Sequence, residues 1–377
     1  MAVYLDNSAT TAPCPDAVKA VNLMMTENFG NPSSLHGAGI SAMKEIISAR
    51  ESIAKALSCE KDEIFFTSGA TEANNLAIFG AAYASRRKGN RIVTTAIEHE
   101  SVMQSINVLE KEGFEVIRLM PDEFGFISEK ELEEAINDKT ILVSIMYINN
   151  EVGSILPVEK IKKTVTRKNA PALIHIDCVQ AFGKIPVRPK KLGADLISVT
   201  AHKIHGPKGC GALYIRKGVN ITPRVFGGEQ EKRIRPGTEA SPLIAGFGAA
   251  VNALPDLKKQ SEYIHSLNAY ARERLGKIEG LVFNSSDNAS PFILNIYIPS
   301  FMRSQTVIQE LSAKHNIYVS SGSACAKGKR SHVLTAMHLP DERIDKSIRI
   351  SFCRSNTKED IDILADALKE LILKHPM

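Results

Sequence analysis

The sequence predicts an α/β protein: a mostly parallel sheet flanked by helices, with a smaller α+β domain attached. Two observations predict it. From about Asp62 onward, short runs of branched and aromatic residues alternate with stretches of helical composition. After about residue 256 this alternation gives way to briefer strands and helices in no βαβ order.

The strands are expected at Ile64 to Thr67, Ile92 to Thr95, Phe114 to Leu119, Ile141 to Met146, Leu173 to Ile176 and Leu196 to Val199. Between them Asn74 to Arg87, Ser101 to Glu112, Ser128 to Ile136 and Val158 to Lys168 read as helices, and such crossovers make neighbouring strands parallel. Pro242 to about Glu279 reads as mostly helical. In the last part, strands are expected at Phe292 to Ile298, Ile317 to Ser320 and Ser347 to Phe352, and a helix at Thr306 to Lys314. The final helix is the clearest, with Ile361, Leu364, Leu368 and Leu371 at 3 and 4 spacing behind Asn356 and Thr357 as candidate caps. The expected division is a large domain over 14–255 and a small domain made of 1–13 with 256–377.

Composition excludes several classes. The 377 residues are 44% hydrophobic and 24% charged, as in ordinary globular chains, which argues against disorder and against a disulfide-stapled mini-protein. No apolar run approaches the length of a membrane-spanning helix, and the first residues carry no signal-peptide pattern, so a cytoplasmic protein without membrane contact is expected. Lys plus Arg total 47 against 42 for Asp plus Glu, a surplus spread without a basic block, so direct nucleic-acid binding is not expected. The cysteines at 14, 59, 178, 210, 325 and 353 show no C-x-x-C spacing, and no metal site is expected.

Ligands of open parallel sheets bind beyond the carboxyl ends of the strands. Five of the expected strands end in polar residues: Thr67-Ser68-Gly69-Ala70-Thr71-Glu72, Glu98-His99-Glu100, Asn149-Asn150-Glu151, Asp177-Cys178-Val179-Gln180 and Thr200-Ala201-His202-Lys203. Each has an ordinary alternative: a helix cap for Ser68 to Thr71, a buried histidine for His99, a turn for Asn149-Asn150, a surface lysine for Lys203. Asp177 directly after an apolar strand is harder to dismiss, because an unpartnered carboxylate there is costly to bury. A helix N-terminus for phosphate, a carboxylate for a ring nitrogen, an imidazole to stack, amides for a ring oxygen and a lysine amine are together the parts that hold pyridoxal 5'-phosphate.

The sequence resembles the cysteine desulfurases, members of the class V aminotransferase family and of the fold type I pyridoxal phosphate enzymes. The matching motifs cover nearly the whole chain: Tyr4-Leu5-Asp6-Asn7, Asn31-Pro32-Ser33-Ser34-Leu35-His36, Ser68 to Asn75, Asn149 to Gly153, His202-Lys203 with Gly206-Pro207-Lys208-Gly209, Arg235-Pro236-Gly237-Thr238, and Ser321-Gly322-Ser323-Ala324-Cys325. The resemblance implies L-cysteine as substrate, L-alanine as product, and an enzyme persulfide that supplies sulfur for iron–sulfur cluster assembly or tRNA thiolation.

By the same resemblance Lys203 is the Schiff-base lysine that also moves the Cα proton. His99 stacks on the ring as acid/base, and Asp177 pairs with the ring nitrogen. Asn150 and Gln180 bond the ring-oxygen side, with Asn150 also near substrate. Ala70, Thr71, Thr200 and His202 hold the phosphate, joined by Thr238 from the second subunit of a homodimer. Arg354 clamps the substrate carboxylate, a bidentate task suited to guanidinium. Cys325, in the small domain, is the nucleophile, in a setting of Lys327, Lys329 and Arg330 that favours thiolate. A sulfur acceptor or scaffold protein is the expected partner.

Thr200 stands where the family often has Ser, and the segment after Cys325 reaches Ser331-His332-Val333-Leu334 sooner than in long-loop members. Three rivals stand beside this reading. A selenocysteine lyase or aminotransferase would use the same lysine and aspartate. A nicotinamide oxidoreductase is suggested by Gly37-Ala38-Gly39-Ile40-Ser41-Ala42, which follows no expected strand. A non-enzymatic sulfur carrier or scaffold would need no such lysine.

Overall fold

The computed structural model describes residues 2–321 and 330–374. The chain enters through a short strand β1 (Val3–Tyr4) and helices α1 (Pro15–Thr26) and α2 (Gly37–Leu57). The central region then runs β2 (Ile64–Thr67), α3 (Ala70–Ser85), β3 (Arg91–Thr95), α4 (Glu100–Lys111), β4 (Glu115–Leu119), α5 (Glu129–Ala135), β5 (Thr140–Met146), α6 (Val158–Arg167), β6 (Leu173–Asp177), α7 (Pro189–Leu192), β7 (Leu196–Thr200) and β8 (Gly211–Ile215). Helices α8 (Ser241–Asn252) and α9 (Leu257–Leu275) lead to β9 (Val282–Phe283), β10 (Ile293–Tyr297), α10 (Ser304–His315), β11 (Ile317–Tyr318), α11 (His332–Ala336), α12 (Asp341–Asp345), β12 (Ser347–Ser351) and α13 (Lys358–Lys374).

The seven strands of the central sheet lie in the order β2-β8-β7-β6-β5-β3-β4, and all are parallel except β8, which runs against both neighbours. The expected α/β class with a mostly parallel sheet is therefore the observed one. Every residue of β2, β5, β7 and β8 is buried, as required of strands covered on both faces. Along β8, Ala212 and Tyr214 join one apolar cluster while Leu213 and Ile215 join the other, so the sheet separates two cores.

The antiparallel β8 was not expected, because its apolar run is five residues long and sits directly behind the turn-forming Gly206-Pro207-Lys208-Gly209. The helical stretch from Pro242 divides into α8 and α9 around Ala253, Leu254 and Pro255. Gly37 to Ala42, the weak dinucleotide match, opens α2 and follows no strand.

Residues near the start pair with the last third of the chain. β1 lies parallel to β11, Asp6 bridges to Ser351, and Ser320 bridges to Arg349 beside the antiparallel sheet β12-β10-β9. Asn7 adds side-chain bonds to the Ser351 carbonyl at 2.8 Å and to Asn356 Oδ1 at 3.1 Å. We propose the same division as above, 1–13 with 256–377 against 14–255, on the strength of these pairings. Among the described residues no helix is long and apolar enough to cross a membrane.

Candidate active site

The carboxyl ends of the parallel strands open into a cavity of about 570 Å³. Its lining includes Ala70, Thr71, His99, Asn150, Asp177, Gln180, Thr200, His202 and Lys203, so five strand ends separated by up to 133 residues in sequence meet there.

Local sequence explains each placement. Gly69 sits at φ +148°, a conformation open to glycine and strained for other residues, and it turns the chain from β2 into α3. Gly211 of β8 passes so close that a Cβ there would come within 2.8 Å of Gly69 backbone. No side chain caps α3, which leaves its first N–H groups facing the cavity lined by Ala70 and Thr71. Glu72 binds Ser68 N at 2.5 Å and Arg235 Nε at 2.9 Å, tying the segment before Thr238 to this turn.

His99 is the N-cap of α4. Its Nδ1 accepts from Ser101 N at 3.2 Å and lies 2.9 Å from Ser101 Oγ, which leaves the ring proton on Nε2. Burial holds the His99 imidazole below its usual pKa, with Asp177 pulling the other way. Asp177 ends β6 and is 6% exposed. Its carboxylate accepts from Asn74 Nδ2 at 2.8 Å and Val179 N at 2.9 Å, both neutral donors, and Asn74 also holds Ser101 Oγ at 2.9 Å. Asn149 spends its amide on Ile97 O, Glu151 N and Val152 N and so builds the turn, while the next residue, Asn150, lines the cavity.

Lys203 closes a short 3-10 turn after β7. Its Nζ donates to the carbonyls of Ser8 and, at 2.6 Å, Ala9. Burial, then the positive charges of Arg349 and Lys184, bring its pKa down to about 7. His202 is held down at about 4, first by burial and then by Lys203 and Lys208. Thr200 Oγ1 donates to Cys210 O at 3.1 Å.

Three expected site residues are not in this group. Arg354 is not in the cavity lining: its Nη1 donates to Ala253 O at 2.6 Å, and it lines an adjoining narrow cleft that shares Lys203 with the cavity. Arg349 lines the cavity from the middle of β12, with Nη1 bonded to Asn150 O and Nη2 to Asp6 Oδ1, each at 2.8 Å. Thr238 is exposed and outside the cavity of its own chain. Cys325, with Lys327 and Lys329, lies outside the described residues.

Sequence reasoning also missed Ser8 to Thr10, Asn74, Ser101 and His332. Arg349 had a visible signal: an arginine flanked by Ile348 and Ile350 in a strand otherwise made to be buried. His332 donates from Nε2 to Glu98 O at 2.9 Å, and Ser331 Oγ donates to Glu151 at 2.5 Å.

The model of the aminotransferase class-V family matches residues 3–364. The chain belongs to that family, among its cysteine desulfurases. A cysteine desulfurase IscS of Methanosarcina thermophila is 43% identical over 99% of this chain and 92% of the relative. A solved NifS-like protein superposes with a TM-score of 0.93 at 38% identity, covering 99% of this chain and all of that one. SspA in complex with cysteine superposes at 0.82 with 34% identity, over 94% of this chain and 99% of that one.

Proposed function

We propose that this enzyme converts L-cysteine to L-alanine with pyridoxal 5'-phosphate and passes the sulfur to Cys325 as a persulfide. One observation carries the reading: a half-buried lysine amine, bonded to backbone carbonyls, lines the same cavity as a buried carboxylate whose partners are neutral donors. The donor set fits the cofactor. Uncapped N–H groups of α3, with Thr200 and His202, suit a phosphate; Asp177 suits a cationic ring nitrogen; Gln180 and Asn150 suit the ring oxygen. When bound, the cofactor supplies an electron sink for the pair released at the substrate's α-carbon.

The chain's own residues do the rest. Lys203, with a pKa near neutrality, changes protonation state at little cost and is placed to hold the cofactor's aldehyde and then to move the Cα proton. His99, with its proton on Nε2, is the second proton carrier. Arg354 is the clamp we assign to the substrate carboxylate: its cleft shares Lys203 with the cavity, whereas Arg349 is 2% exposed and its guanidinium is already held by Asn150 O and Asp6. Cys325 thiolate attacks the substrate sulfur and takes it as a persulfide; the C–S bond breaks with its electron pair on Cβ, Cβ and then Cα take protons, and alanine leaves. SspA's structure with cysteine supports cysteine as the substrate class.

We propose further that the chain works in the cytoplasm as a homodimer, with Thr238 reaching the partner's phosphate site. Support comes from Met25, Phe29, Leu35 and Ile40, apolar side chains exposed along and between α1 and α2. The persulfide then serves a sulfur-acceptor or scaffold protein in cluster assembly or tRNA thiolation.

Replacing Cys325 with Ser tests the sulfur step. The variant is expected to keep the cofactor's absorbance and to lose persulfide and alanine formation from cysteine. Desulfuration of cysteine at near wild-type rate would overturn Cys325 as nucleophile, and retained activity on selenocysteine alone would favour a selenocysteine lyase.

A further inference from the structure

Lys184 stands in the turn after β6 and is only 6% exposed. Its Nζ donates to Gln180 Oε1 at 2.8 Å and lies 5.5 Å from the centre of the Phe292 ring. Gln180 lines the cavity, and its Nε2 donates at 3.0 Å to the carbonyl of Ser8, the same oxygen that accepts from Lys203.

These two partners fix the amide in one sense. The ammonium has donors and no acceptor, and the Ser8 carbonyl accepts and cannot donate. Oε1 is therefore turned to Lys184 and Nε2 to Ser8. An amide nitrogen carries two hydrogens, and Ser8 takes one. The other is left for an acceptor in the cavity. Turned over, the same side chain would present its oxygen to a negatively charged ring oxygen and would lose both bonds.

We propose that Lys184 is a positioning residue, locking Gln180 as a hydrogen-bond donor toward the ring oxygen of the pyridoxal cofactor, an inference that rests on the cofactor reading above. It acts through Gln180, and its place behind the cavity wall keeps it off the reacting atoms. The charged and titratable groups around it are Arg349 and Cys353 on the β12 side and Lys203 and His205 on the segment after β7. Arg354 lines the same narrow cleft. Burial, and then Arg349, hold the Lys184 pKa down to about 7; the neutral amine still has N–H donors for Oε1, and the Ser8 carbonyl, which only accepts, keeps the amide's sense in either protonation state.

The test is a pH titration of the visible absorbance of cofactor-loaded protein. A donor on the ring oxygen stabilises its negative charge and lowers the chromophore's affinity for its proton. Lys184→Met is expected to raise the chromophore pKa by about one unit, a tenfold change in proton affinity. Lys184→Arg, which keeps the donors, should stay close to wild type. Gln180→Leu should give a shift of the same sign and size, and the double variant Lys184→Met/Gln180→Leu no more than either alone. Additive shifts would overturn the proposal, since Lys184 would then act as a charge independent of Gln180. A titration of Lys184→Met that overlays the wild type would overturn it as well. Should that variant not fold, Lys184→Gln, whose amide can accept as well as donate, is expected to move the pKa part of the way, and an unmoved value overturns the assignment. A wild-type protein without any pyridoxal band would overturn the cofactor reading itself and this inference with it.

Discussion

The cavity is walled by two kinds of chain. Ser68 to Thr71, His99, Asn150, Asp177 and Lys203 come from the ends of neighbouring strands in one sheet, each placed by the few residues around it. Ser8 to Thr10, His332 and Arg349 come from segments that touch the sheet only through tertiary contacts, such as the Asp6–Arg349 ion pair at 2.8 Å. The first set carries the cofactor chemistry proposed above, and the second completes the cavity around it. The proposed chemistry is thus encoded locally, and completion of the cavity is encoded at long range.

The largest effect should come from the first wall. Lys203→Ala is expected to abolish borohydride-trapped cofactor and to lower turnover by at least ~10²–10⁴-fold, the range for removing an acid/base group. Covalent trapping that survives the change would break the assignment. Beside the second wall, Arg354→Lys should raise KM for cysteine by roughly 30- to 150-fold, about 2–3 kcal/mol for a lost charged hydrogen bond, with kcat less affected. An unchanged KM would return the clamp to another residue. Asn74→Ala, which frees one oxygen of Asp177, is expected to weaken pyridoxal phosphate binding about tenfold, measured by cofactor titration.

Protonation sharpens the comparison, since Lys203 lines the cavity and Lys184 is buried behind Gln180. Both have folded-state pKa values of about 7, below the ordinary 10.5 of lysine, so above pH 7 the unfolded chain binds more protons than the folded one. Stability of the cofactor-free protein should therefore rise from about pH 7 until thiols begin to titrate near pH 9. Lys184→Met should exceed the wild type in Tm by a few degrees at pH 7, roughly 2–4 °C per kcal/mol, and lose part of that advantage by pH 9. A pH-independent difference would show that Lys184 is not the titrating group.

This division also explains what could be read from the sequence. The strands from Ile64 to Val199 were legible because runs buried on both faces are apolar throughout, and their polar ends stand out against them. β8 was hidden because it shares its segment with a glycine-rich turn, and strand direction leaves no mark on composition. Asp177 was legible from burial cost alone. Arg349 and Arg354 differ by five positions and have the same chemistry, and only the register of β12 against β10, Arg349 opposite Asn295, fixes where the first one lies. Ser8 and Ala9 contribute main-chain carbonyls, which every residue has, so no side-chain pattern could mark them.

The Asp6–Arg349 pair has a bearing on biosynthesis. A ribosome makes Asp6 early and Arg349 only after another 342 residues, so Lys203 is synthesised well before the arginine that completes its cavity. Through most of translation the nascent chain can form its central sheet and have no finished pocket. Contacts so distant in sequence are slow to form, because the loop they close carries a large entropy cost. The reactive amine is thus assembled inside an incomplete enzyme, and the ability to break a carbon–sulfur bond is acquired in the final stage of folding.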